Sequence, residues 1–126
     1  MIHFDTSFLI QALDAGSKQD HRLREWIRQG VALGISSVSW TEFLCGPVEP
    51  RLVKLARDLL REPLAYGPED CALAAKLFGE SGRRRGSMCH CMIAATALRS
   101  QALMATSDVT DFRRFEPFGL KLTGID

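Results

Sequence analysis

The segment Ser87–Gln101 constrains the fold more than any other part of the chain. Its apolar residues surround the helix axis almost completely, so a helix here must be covered on most sides rather than along one stripe. A chain of 126 residues and 14.0 kDa can supply that cover. Area scaling has a chain of this size hiding roughly two-thirds of its unfolded surface. No repeat, low-complexity tract or linker divides it, so residues 1–126 read as one domain. With 46% hydrophobic residues, 5 Pro and 10 Gly, disordered and collagen-like classes are excluded.

Short apolar runs alternate with helical patterns around that segment. Ile2–Asp5 is a run that ends on an acid. Phe8, Leu9, Ala12 and Leu13 follow at helical spacing, up to a stop at Gly16. A second helix runs from Ser17 through Leu23, Trp26 and Ile27 to Gly30. Val31–Ser36 reads as a buried strand, and Ser37 as the N-cap of a short helix that carries Glu42 and ends near Gly46. Pro50 opens a helix with the stripe Leu52, Leu55, Ala56, Leu59 and Leu60. Pro68 opens another with Cys71, Ala74, Ala75 and Phe78. Leu64–Tyr66, Leu103–Thr106 and Leu120–Leu122 are strand-like. This alternation predicts an α/β fold around a parallel sheet.

The longest stretches without Asp, Glu, Lys or Arg are 13 residues, Gln29–Thr41 and Gly86–Leu98. Both fall short of the ~20 apolar residues that cross a bilayer. Asp5 interrupts the start before the apolar core of a signal peptide develops. The four cysteines, Cys45, Cys71, Cys89 and Cys91, form neither a CxxC pair nor a dense disulfide framework. The expectation is a cytoplasmic, reduced protein without a membrane span.

Several acids stand where the sheet edge would bring them together. In open α/β sheets, ligands bind outside the carboxyl ends of strands. Asp5 ends the first strand, Asp108 and Asp111 follow Leu103–Thr106, and Glu42 interrupts an otherwise uncharged segment. Carboxylates gathered at one edge repel and are costly to desolvate together. A hard divalent cation such as Mg²⁺ offsets that cost and can activate water at a phosphodiester. Each acid also has a plain structural reading: Asp5 as a helix cap, Glu42 as a solvated residue, Asp108 and Asp111 as turn formers.

The order of four motifs resembles a known family over nearly the whole chain. They are Ile2-His3-Phe4-Asp5-Thr6-Ser7, Ser37-Val38-Ser39-Trp40-Thr41-Glu42-Phe43-Leu44-Cys45-Gly46, Ile93-Ala94-Ala95-Thr96-Ala97 and Thr106-Ser107-Asp108-Val109-Thr110-Asp111-Phe112. In these the chain resembles PIN-domain proteins of the VapC-like toxin group. The resemblance implies a three-layer α/β/α sandwich with a central, mainly parallel sheet. It also implies a Mg²⁺- or Mn²⁺-dependent ribonuclease acting on RNA, a toxin neutralised by a cognate antitoxin, and a homodimer. By position, Asp5, Glu42 and Asp108 would hold the metal, with Asp111 in support.

One position departs from that pattern. The family places an acid, usually Asp, three residues before Ile93, and this chain has His90 there, between Cys89 and Cys91. Three readings stay open. His90 ligates a softer ion such as Mn²⁺ or Zn²⁺, or leaves an under-charged and weakly active site, or is a core histidine. In the second case the chain is a catalytically degenerate PIN domain that binds protein or RNA. A zinc site from Cys89, His90 and Cys91 is set aside, because residues i and i+2 on a helix point about 200° apart. The two thiols read instead as buried small hydrophobes. A Cys–His dyad has no marked oxyanion site. A two-aspartate phosphotransferase start is also missing, since Ser7 occupies the second position.

The net charge of +1 conceals an asymmetry. From Cys71 to Ser107 the chain carries +4 and elsewhere −3. Arg83, Arg84 and Arg85, between two glycines and just ahead of the helix bearing His90, are candidate contacts for an RNA phosphate backbone. Arg113 and Arg114 can extend the same patch. Trp26 and Trp40 read as core rather than as stacking platforms for bases.

Overall fold

The computed structural model describes residues 1–124, and its sheet is built from very short strands. They are β1 (Ile2–Phe4), β2 (Leu33–Ile35), β3 (Leu103–Ala105) and β4 (Leu122–Thr123). They lie in the order β2-β1-β3-β4, all parallel. Between β1 and β2 come α1 (Thr6–Ala12) and α2 (Lys18–Arg28). Between β2 and β3 come α3 (Ser37–Cys45), α4 (Pro50–Leu60), α5 (Pro68–Glu80) and α6 (Met88–Arg99). After β3, α7 (Val109–Arg113) and a 3₁₀ turn at Glu116–Phe118 lead into β4.

Two apolar clusters make the three layers. On one face of the sheet, Ile2, Phe4, Ile35 and Ala105 meet Phe8, Leu9, Leu23, Trp26, Ala56 and Leu60 from α1, α2 and α4. On the other, Met104 meets Leu77 of α5, the small residues of α6, and Phe112 and Phe115. Cys91, Ala94, Ala95, Thr96 and Ala97 have no exposed surface, so α6 is enclosed as its all-round apolar pattern predicts. The expected α/β/α sandwich is the one observed.

Several local expectations shift. Ser36, not Ser37, caps α3: its Oγ accepts from the Ser39 N–H at 3.1 Å while its backbone stays extended. Leu64–Tyr66 contributes only a bridge, Ser36 to Leu64, not a strand. The last strand begins at Leu122, with Leu120 buried ahead of it. On α5 the inward stripe is turned by about one residue from the one predicted. Cys71 and Ala75 face out, and Asp70, Ala74 and Leu77 face in. Asp70 is fully buried because Arg99, at the end of α6, pairs with its carboxylate and also donates to the Ala65 carbonyl. The same carboxylate accepts from the Gly67 N–H at 3.0 Å, which caps α5.

His3 is buried on β1, beside Gly34 of β2 in the sheet register. A side chain at Gly34 would begin 3.2 Å from the imidazole, so any larger residue there would press on His3. Burial, the N-terminal ammonium and Arg99 lower the His3 pKa to about 4. A depressed histidine contributes stability that is present above its unfolded pKa and is lost as pH falls through the folded one. Wild type is therefore expected to lose stability relative to His3→Leu between about pH 6.5 and about pH 4. The loss is roughly 3 kcal/mol by linkage. Thermal melts of the two proteins across that range check it, and a gap independent of pH refutes it.

Candidate functional site

The chain leaves β1 and β3 toward opposite faces of the sheet. Helix α1 packs with the first cluster and α7 with the second. Adjacent parallel strands whose connections diverge open a crevice at their carboxyl ends. Asp5 stands at that point on β1, and Thr106 at the matching point on β3. The cavity there measures about 260 Å³, and Asp5, Thr6, Glu42, His90, Asp108 and Phe112 are among its lining residues. Acids from three separate stretches of the chain thus reach one cavity. A larger hollow of about 550 Å³ lies by the amino-terminal ends of β1 and β2, with Asp58, Arg61 and Glu62 on it, and holds no comparable gathering.

Asp5 is 3% exposed and serves as the N-cap of α1. Its Oδ1 accepts from the Phe8 N–H at 2.9 Å, and the Ser7 hydroxyl donates to both carboxylate oxygens. The Thr106 hydroxyl donates to Oδ2 and accepts from the Asp108 N–H at 2.9 Å. One hydroxyl therefore links the Asp5 carboxylate to the backbone of Asp108. Burial pushes the Asp5 carboxyl up to about 6; the Asp108 charge adds to the rise, and the three donors oppose it. The cap reading of Asp5 is correct, and it coexists with a place at the cavity.

Glu42 reaches the site from α3. The Thr6 hydroxyl donates to its Oε1 at 2.9 Å and to the Ser39 carbonyl at 3.1 Å, which ties α1 to α3. Ser107 closes the rim, its N–H donating to Ser7 Oγ at 3.1 Å and its hydroxyl to Gln11. Thr6, Ser7 and Thr106 received no role from sequence reasoning. Their signal was present in the hydroxyl residues that flank Asp5 and Asp108.

His90 is not a core residue. It lines the cavity, with its side chain 28% exposed and its ring edge-on to Phe112 at 5.1 Å between centroids. Its Nε2 lies 3.9 Å from Asp111 Oδ2, and Arg114 Nη2 lies 3.4 Å from its Nδ1. Asp111 is half-exposed on α7 and does not line the cavity. Arg114 also packs its guanidinium over Phe115, 4.9 Å from the ring centroid. Of the two flanking thiols, Cys91 is buried as expected and Cys89 is exposed.

Arg83, Arg84 and Arg85 are exposed, and none lines the cavity. Their segment is a tight turn: Gly82, Arg83 and Gly86 all have positive φ, and the Arg83 N–H donates to the Phe78 carbonyl.

Among the described residues, no three His, Cys, Asp or Glu side chains converge closely enough to hold one ion together. Mg²⁺ is usually held through one or two carboxylates and keeps several waters. The chemistry of the donor set, hard oxygens facing one cavity with the Asp5 carboxylate buried among them, fits such an ion.

Residues 2–116 match the sequence profile of the PIN domain. No curated protein sequence matches the chain. Among solved structures, VapBC2 from Rickettsia felis, bound to a promoter DNA fragment, is similar with a TM-score of 0.76 and 17% identity over 98% of each chain. VapBC-1 from nontypeable Haemophilus influenzae gives 0.75 and 22%, over 98% of this chain and 97% of that one. FitAcB from Neisseria gonorrhoeae gives 0.73 and 16% over 98% of each. At these identities the likeness is one of fold.

Proposed function

The chain belongs to the PIN-domain family, and from that membership we propose that it is a divalent-metal-dependent endoribonuclease, the toxin of a type II toxin–antitoxin pair. The observation that carries this reading is the meeting of Asp5, Glu42 and Asp108 at one cavity on the carboxyl edge of the sheet. These acids are the candidates to hold Mg²⁺ or Mn²⁺, one or two of them binding directly and water completing the shell, with Asp111 in support. When bound, such an ion lowers the pKa of an attacking water and offsets charge on the phosphodiester.

The chain's own residues prepare the site. Ser7, Thr106 and the Phe8 N–H fix both oxygens of Asp5. Thr6 fixes Glu42. Because Thr106 also receives the Asp108 N–H, the ends of β1 and β3 hold their spacing without side-chain rearrangement. Preorganisation of this kind reduces what must be reordered when charge develops. The exposed arginines 83–85 are proposed as contacts for RNA outside the cavity.

A structure of similar fold is a toxin–antitoxin complex from Klebsiella pneumoniae, which supports an antitoxin as the partner of this chain. Homodimerisation and a cytoplasmic setting complete the proposal. No helix among the described residues is long and apolar enough to cross a membrane.

A second reading, a degenerate PIN domain that binds RNA or protein, is favoured by His90 standing in the cavity with Arg114 behind it. Cleavage of a structured RNA by wild type, Asp5→Asn and His90→Asp, with Mg²⁺ and with Mn²⁺, separates the two. Wild-type cleavage that needs metal and disappears in Asp5→Asn supports the nuclease. An inert wild type beside an active His90→Asp supports degeneracy. If none of the three cleaves RNA or binds metal, the nuclease reading fails.

A further inference from the structure

The guanidinium of an arginine can only donate hydrogen bonds, because all five of its N–H groups are protonated at any working pH. Arg114 Nη2 lies 3.4 Å from His90 Nδ1; a hydrogen bond at this contact makes that nitrogen the acceptor and places the proton of the neutral ring on Nε2. The tautomer of a histidine is set by the bond its other nitrogen makes. Imidazole binds a metal through an unprotonated nitrogen, and here that nitrogen faces Arg114 rather than the carboxylates. Nε2–H is the end of the ring nearest Asp111, at 3.9 Å, too far for a hydrogen bond. Among the described residues it has no close acceptor, on a ring that lines the cavity.

We propose that His90 is a hydrogen-bond donor to a phosphate oxygen of bound RNA and not a metal ligand, with Arg114 as the positioning residue that fixes its tautomer. The proposal rests on the nuclease reading for its ligand, and on the His90–Arg114 geometry for everything else. Replacing an acid by a neutral donor removes one negative charge from the cavity. Phosphate can then approach the remaining carboxylates against less repulsion. Arg114 is well placed for its role. It follows α7 directly, and its contact with Phe115 anchors the guanidinium.

The test uses the full chain. Two-bond ¹H–¹⁵N correlation spectra read the tautomer of each of the three histidines, with His90→Gln assigning the His90 signals. A single Nε2–H tautomer, unchanged by added Mg²⁺ or Zn²⁺ and relaxing to a mixture in Arg114→Met, supports the proposal. An Nδ1–H tautomer, or a ring nitrogen that shifts as Zn²⁺ is titrated in, overturns it. Binding of a single-stranded RNA oligonucleotide in EDTA, where metal-dependent cleavage is stopped, reads the acceptor. His90→Phe is expected to weaken binding about tenfold, and His90→Gln, which keeps an N–H donor, to restore most of it. Equal affinity of wild type and His90→Phe overturns the phosphate contact, as does a wild type that does not bind. These readouts do not depend on cleavage. An inert wild type with the expected tautomer and binding order would sink the nuclease reading alone.

Discussion

Asp5→Asn is expected to raise the melting temperature of the metal-free protein near neutral pH and, on the proposed nuclease function, to abolish RNA cleavage. The Asp5 carboxyl is held at about 6 in the folded protein against an ordinary 3.8, mainly by burial. The folded chain therefore binds this proton more tightly than the unfolded chain. The resulting stability is fully present below about pH 3.8 and is lost as pH rises through about 6. Keeping the group ionised at pH 7.5 costs roughly 3 kcal/mol by that linkage. Asparagine carries no charge, and its carbonyl can still accept from the Phe8 N–H. The rearranged bond to Thr106 returns part of the gain, so the variant should be about 1–3 kcal/mol more stable, or about 3–10 °C in Tm. The gap should close toward pH 4. His3 titrates alike in both proteins and cancels in the difference. Melts in EDTA from pH 4 to 8 check the prediction; a variant that melts lower at pH 7.5, or a constant gap, refutes it.

Phe8→Ala is expected to cost about 3–5 kcal/mol, a large share of the 5–15 kcal/mol that holds a domain of this size together. Phe8 has no exposed surface; its ring stacks on Trp26 at 5.6 Å and meets Phe4 edge-on at 4.9 Å. It is thus the side chain that seats α1 between β1 and α2. Its backbone N–H also caps on Asp5, so a loosened α1 takes Thr6 and Ser7 with it. Phe8→Leu fills most of the space and should retain the fold with a much smaller loss of stability. Urea unfolding compares the three proteins. A Phe8→Ala midpoint equal to wild type would show that α1 is seated by something else.

The outline of the fold is written in local patterns. The uniform apolar surround of α6 announces a central helix, and runs of strand and helix in alternation announce a parallel sheet. The edges are less legible because three-residue strands are too short for a period of two to mark where they stop. Helix α5 shows a different obstacle. Asp70 reads as an outward residue, which turns the predicted stripe toward Cys71 and Ala75, yet a partner 29 residues later makes its burial possible. Asp5 and Asp108 follow from strand-end position, since parallel strands deliver their carboxyl ends to one edge, and Glu42 from the uncharged segment it interrupts. What binds His90 does not. Arg114 lies 24 residues away on another element, and no spacing rule links a residue of α6 to one beyond α7.

The bond from Thr106 to Asp5 spans 101 residues of sequence, and that from Ser107 to Ser7 spans 100. Ordering so long a loop is the last expense that a folding chain recovers, because its entropy is lost before distant contacts compensate it. The cavity should therefore mature after most of the helical scaffold has formed. A chain halted short of Thr106 would carry Asp5, Glu42 and His90 without the hydroxyl that joins the two halves. In a refolding time course, compaction and helix content should recover ahead of the metal binding proposed for the cavity.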